Sequence, residues 1–216
     1  MKKLLLSLLL CAAGAFVAQA QHTIESIRKE YQAVHEDIAH MTPDEDGFSE
    51  MPPEYYDLEV MRNLPATGPH KEQIRMIFNE LEGEEGEIYP PHYLRFVTAK
   101  YNFAAREFYE EYLYDKEGRL LFIYAITPDV DVDGYMVPYE LRMWFDGKRL
   151  LRFQASVLDE KIDYPTIANL RKAKFKQLYS GKSVPEKYQE EATRCQLRRT
   201  SFLQLFKSIE TNNYAP

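Results

Sequence analysis

Five short segments dominate the middle of the chain: YLRFVTAKY from Tyr93, EFYEEYLY from Glu107, RLLFIYAIT from Arg119, YELRMWF from Tyr139 and RLLRFQASV from Arg149. All are aromatic and branched, the composition and length of strands. Asp115-Lys-Glu-Gly118 and Asp146-Gly147-Lys148 stand between two pairs of them, and their glycines supply the positive φ that hairpin turns demand. Strands joined this tightly must run antiparallel, because parallel neighbours need a crossover of a dozen or more residues. A meander is therefore the frame, and every other segment has to pack on it.

Upstream, Ile74, Met76 and Phe78 alternate with Arg75, Ile77 and Asn79, and a weaker alternation runs through Tyr56, Leu58 and Val60. Both fit half-buried strands, so six or seven strands are expected over residues 54–157. Asp44 to Pro53 and Glu82 to Glu87 read as connections. Helices flank the sheet. Ile24, Ile27, Tyr31, Val34, Ile38 and Met41 fall at alternating spacings of three and four, one apolar stripe along a helix within residues 21–43, capped by Thr23 and stopped at Thr42-Pro43. Over residues 163–210 the pattern predicts a helical pair. The first helix begins at Asp163 and ends at Gly181; the second opens on the capping box Ser183-Val-Pro-Glu186. In it Tyr188, Cys195, Phe202 and Ile209 recur every seven residues, with Ala192 and Phe206 between them. The expected class is α+β, an N-terminal helix and two C-terminal helices packed on an antiparallel meander.

At the N-terminus, Lys2 and Lys3 precede an apolar run from Leu4, and Ala18-Gln19-Ala20 is an A-x-A processing site. Residues 1–20 are thus expected to be a signal peptide cleaved before Gln21, leaving residues 21–216 as one exported domain, periplasmic or secreted. No later stretch approaches the roughly 20 apolar residues of a transmembrane helix. Past the leader, Cys195 is the only cysteine, so no disulfide can form within the chain, and its place on the apolar stripe predicts burial. Acids outnumber bases, 34 to 27, with the excess upstream of residue 160 and a basic segment after it. An acidic body excludes nucleic acid as the main partner; complementarity between body and tail is the simpler reading.

LYDKEGRLLFI from Leu113 and WFDGKRLLRF from Trp144 echo each other, each a strand, an Asp-led turn and an apolar return strand. The pair resembles hairpin units of exported proteins of Bacteroidales type and, more remotely, the Y-D-x-x-G-x-L units of MORN-like repeat proteins. The resemblance covers Tyr109 to Phe153, implies an exported sheet domain, and carries over no functional residue.

Asp129-Val-Asp131-Val-Asp133-Gly134, followed five residues later by Glu140, satisfies the calcium-loop pattern D-x-D-x-D-G-x5-E. Asp129, Asp131, Asp133 and Glu140 would supply side-chain oxygens and Tyr135 its carbonyl, a set suited to Ca2+. Strands flank the loop where an EF-hand has helices, so a solvated hairpin loop binding no ion is the competing reading. No cofactor is otherwise required. His35-Glu36-x-x-x-His40 fails as a zinc helix, since five residues turn the second histidine away from the first; these histidines, with His22, His70 and His92, read as scattered and solvated. Leu64-Pro-Ala-Thr-Gly68 and Ser180-Gly181-Lys182-Ser183 lack the context of a sortase signal or phosphate loop. No catalytic residue emerges: there is no nucleophile elbow, and Glu110 and Glu111, as strand neighbours, point to opposite faces. The tyrosines read as core and cross-strand pairs, and Trp144, opposite Tyr139, Leu141, Met143 and Phe145, as exposed or covered by the terminal helices. Arg171, Lys172, Lys174 and Lys176 read as a helix's solvated side. The function expected is a non-catalytic exported protein binding a protein or glycan ligand; the alternative is a glycan hydrolase using carboxylates.

Overall fold

Alternating side chains and glycine turns generate one sheet in the computed structural model. It describes residues 22–40, 54–83, 90–132, 135–160, 162 and 166–214, those at 128–132, 135–136 and 212–214 by backbone alone. Helix α1 (Ile24–Ala39) is followed by strands β1 (Glu54–Leu64), β2 (Gly68–Glu80), β3 (His92–Phe103), β4 (Arg106–Tyr114), β5 (Leu120–Val132), β6 (Tyr135–Asp146) and β7 (Arg149–Leu158). The short helix α2 (Ile167–Leu170), strand β8 (Phe175–Gly181), a 3-10 turn (Glu186–Tyr188) and helix α3 (Gln189–Tyr214) complete the order. All eight strands form one antiparallel sheet whose order is the chain order. Gly118 and Gly147 take positive φ in the two turns that the sequence marks. Met41, the connection expected over residues 44–53 and the signal peptide expected over residues 1–20 lie outside the described residues.

The α+β class holds, with two corrections. The sheet has eight strands instead of six or seven, and one long C-terminal helix stands where a pair was expected. The difference lies in residues 167–181. Only four residues are helical, after which Phe175–Gly181 pairs with β7. β7 would otherwise present an unpaired row of backbone groups, and an edge strand carrying Lys176 both satisfies that row and discourages further pairing. Arg171 and Lys172 accordingly sit on a turn, Lys174 just before the strand and Lys176 on it, none of them on a long helix. The Ser183 capping box does not form either: Pro185 caps the 3-10 turn without a side-chain bond, and Ser183 Oγ lies 3.4 Å from the Tyr179 hydroxyl.

Helices cover both faces. Along α3 and the turn before it, Tyr188, Ala192, Cys195, Phe202 and Phe206 are buried against Met76, Val97, Tyr112, Ile123, Leu141 and Phe153. On the opposite face, Ile27 and Val34 of α1 meet Phe96, Leu113, Phe122 and Trp144. Trp144 is therefore buried under the N-terminal helix, not exposed or under the terminal ones. Thr23 caps α1 in a reciprocal box with Ser26. The echoed turns add an anchor: Asp115 Oδ2 lies 3.2 Å from His22 Nε2, and Asp146 Oδ1 accepts from the His22 backbone at 3.3 Å.

Cys195 is wholly buried, and burial, reinforced by the neighbouring Glu110 carboxylate, pushes its thiol far above the usual range. Since the thiolate is the reactive species, labelling of native protein by a thiol reagent is expected to be negligible until denaturant is added. Stoichiometric labelling within minutes under native conditions would place Cys195 at the surface.

Candidate functional site

On the α1 face, α1 covers one end of the sheet and α2 the other, where Ile167 and Leu170 pack on Tyr109 and Ile126. Between them the floor is polar. Register aligns Glu111 with Tyr124, Tyr124 with Arg142, and Arg142 with Gln154 on adjacent strands. The next row joins Ile126, Glu140, Ser156 and Gln177. Above this floor is a cleft of about 300 Å³ lined by Arg28, Tyr31 and His35 of α1, Glu111, Tyr124, Arg142 and Trp144 of the sheet, and Arg171. Tyr124, Arg142 and Arg171 also line a second hollow of about 230 Å³ that reaches Glu140, Gln154, Ser156 and Gln177. Sharing those three residues, the two hollows adjoin and together are called the trough.

Glu111 is the buried centre of the first compartment. Tyr109 donates to its Oε1 at 2.6 Å, Tyr31 donates to Oε2, His35 Nε2 lies 3.4 Å from Oε2, and Arg171 Nη2 is 3.6 Å from Oε1. Burial alone would push this carboxyl up, but the His35 hydrogen bond and charge, with the Tyr109 and Tyr31 hydroxyls, hold it below its ordinary value. Burial, then the Glu111 charge, push Tyr31 and Tyr109 up, so both hydroxyls remain donors. Tyr124 lies among the acids, raised by burial and then by Glu140 and Glu111.

Three arginines frame the trough, each over an aromatic ring. Arg28 stands 5.7 Å from the Trp144 centroid, Arg142 5.5 Å from Tyr124, and Arg171 4.5 Å from Tyr109. Arg142 also donates to Glu140 at 3.0 Å, whereas Arg28 has no ion pair among the described residues. Stacking fixes a guanidinium's plane while leaving edge N–H groups to meet an anion.

Glu110 points to the other face, as strand alternation requires, and is equally buried. Tyr101 and Tyr112 donate to it at 2.8 and 2.6 Å, and Arg198 Nε at 2.7 Å. Arg198 continues to Glu72, and Arg194 Nη2 lies 3.4 Å from Glu110. This cage ties α3 to the sheet.

Of the five expected calcium ligands, only Glu140 has a described side chain. Glu140, paired in register with Ile126 and Ser156, is turned to Arg142. The side chains of Asp129, Asp131, Asp133 and Tyr135 lie outside the described residues, though pairing of Val132 with Tyr135 closes this segment as a hairpin. A different set could hold a divalent cation: Glu54, Glu80 and His92, at one end of β1, β2 and β3, bring donor atoms within 4.8 Å of one another. His92 Nδ1 is held by Glu210 at 2.8 Å; Glu54 and Glu80 are exposed. Of the histidines read as scattered, His35 enters the cleft and His92 this cluster, while His40 is exposed.

Sequence reasoning missed Glu111, Tyr31, His35, Arg28, Arg142 and Arg171 as a group. The one available signal was the polar interruption of the α1-facing positions by Glu111, Glu140 and Arg142 in otherwise apolar strands.

No protein-family model matches the chain, and no curated protein or solved structure proved significantly similar to it. Among the described residues no helix is long and apolar enough to cross a membrane.

Proposed function

We propose that this is an exported, non-catalytic binding protein whose trough between α1 and α2 holds a small organic anion. The observation that carries this reading is the set of three ring-stacked arginines, Arg28, Arg142 and Arg171, around one cleft. In a chain of net charge −7 such a cationic concavity is a local exception, and its volume is that of a small-ligand site. Planar guanidinium groups recognise carboxylate, sulfate or phosphate through paired N–H donors. Export is supported by the leader-like sequence Met1–Ala20.

Two acids, Glu111 and Glu140, share the trough, which keeps the glycan-hydrolase alternative specific. Against it, a general acid must be protonated at working pH, whereas His35 and the hydroxyls around Glu111 hold its carboxyl below the ordinary value and both its oxygens are already bonded. The test is calorimetry with aromatic and sugar carboxylates at low and high salt. Binding in the micromolar to millimolar range, weakened by salt and lost in the Arg142→Ala/Arg171→Ala double variant, is the expected result. Turnover of a glycan that disappears in Glu111→Gln would establish the enzyme instead.

A further inference from the structure

We infer that the anion is the acidic end of a saccharide, a uronic acid joined to at least one neutral sugar ring, lying across the strands from Glu111 to Gln154. This rests on the anion-binding reading above and adds the ligand's length and chemistry.

Length comes from register. Glu111, Tyr124, Arg142 and Gln154 are successive cross-strand neighbours on β4, β5, β6 and β7. Strands lie about 4.8 Å apart, so this row spans roughly 14 Å. An isolated phosphate or acetate would occupy only a fraction of it, whereas the two compartments joined at Tyr124, Arg142 and Arg171 accommodate an extended molecule.

Chemistry changes along that length. Arg28, Arg142 and Arg171 outnumber the single carboxylate of Glu111 in the compartment under α1, so positive charge is in excess there. Beyond Arg142 the lining turns to neutral groups that both donate and accept: the Gln154 and Gln177 amides and the Ser156 hydroxyl. Hydroxyl groups of a sugar also donate and accept, and are matched by such side chains. A second anionic group is not, because the groups beyond Arg142 carry no positive charge and Arg142 is already engaged by Glu140 at 3.0 Å. A polyphosphate, a nucleotide tail or a long dicarboxylate would set negative charge against Glu140; a neutral ring would offer it hydroxyl donors. Charge at one end and a polyhydroxylated body at the other is what this gradient selects.

The experiment compares three probes by calorimetry on the purified protein: cellobiouronic acid, with one glucuronate and one glucose ring; cellobiose, its neutral counterpart; and benzoate, an anion without hydroxyls. The expected order is cellobiouronic acid at least tenfold tighter than either of the others. The Gln154→Ala/Gln177→Ala double variant, which leaves every buried apolar side chain in place, should bring cellobiouronic acid to the benzoate level and leave benzoate unchanged. Equal affinity for benzoate and cellobiouronic acid, or no effect of the glutamine variant, would overturn the saccharide while leaving the anion site standing. Cellobiose binding as tightly as its acid would overturn the acidic end. Failure of all three probes would remove the anion-binding reading itself.

Discussion

Ending the chain at Asp159 is expected to yield a protein that does not fold. The cut removes β8 and all of α3, exposing the sheet face on which Met76, Val97, Tyr112, Ile123, Leu141 and Phe153 are buried. Tyr188, Phe202 and Phe206 alone take three aromatic side chains out of water. At about 2–3 kcal/mol for each fully buried large side chain, their loss removes roughly 6–9 kcal/mol. That equals much or all of the 5–15 kcal/mol by which a typical domain is stable. The newly bared β7 edge adds an aggregation surface. Circular dichroism and size-exclusion chromatography should show loss of the cooperative melt and association. A truncated protein that stays monomeric and melts within a few degrees of the parent would show that α3 is an appendage.

Glu110→Ala should be the most damaging single substitution among the charged residues. Glu110 is completely buried and receives Tyr101, Tyr112 and Arg198, with Arg194 close by. Removing the carboxylate leaves guanidinium charge and two phenol donors in a site with little water. Removing one partner of a buried ion pair costs about 3–5 kcal/mol. Arg198→Met, which retains apolar bulk but leaves Glu110 less compensated, should cost a comparable amount, and the double variant should cost less than the sum of the two. Urea titration reads this directly. Losses below about 1 kcal/mol in both single variants would mean the cage is solvated and contributes as surface pairs do.

The frame could be read from residues in a row, because strand alternation, turn glycines and the stripe of α1 are local. Gly118, Gly147, Thr23 and the stripe from Ile24 to Ile38 each act where they stand in the chain. The seam through Tyr188, Cys195 and Phe202 was visible for the same reason. Residues 167–181 were not, since Phe175–Gly181 becomes a strand only because β7 offers an unpaired edge; its own sequence suits a helix face nearly as well. Trp144 illustrates the limit: alternation placed it opposite Leu141 and Met143, but which helix covers that face is decided by packing. The site was hidden by the same distance. Glu110 and Glu111 were correctly placed on opposite faces, yet their burial follows from Arg198 on one helix and from Tyr31 and His35 on another, far away in sequence.

The agreement of strand order with chain order has a kinetic consequence. Every ladder in the sheet joins segments that follow one another, so most connections close short loops, the link over residues 159–174 being the longest, and the next strand adds to an existing edge. The entropy of closure stays small at every step. Sheets dominated by distant pairings are the slow folders; here each strand pairs with its neighbours in the chain, and pairing can zip outward from the Gly118 or Gly147 turn. What must come from afar is α1 and α3, whose docking seals the two faces. Until then both apolar faces stand open, so the interval between zipping and sealing is the period in which this chain is most exposed to aggregation.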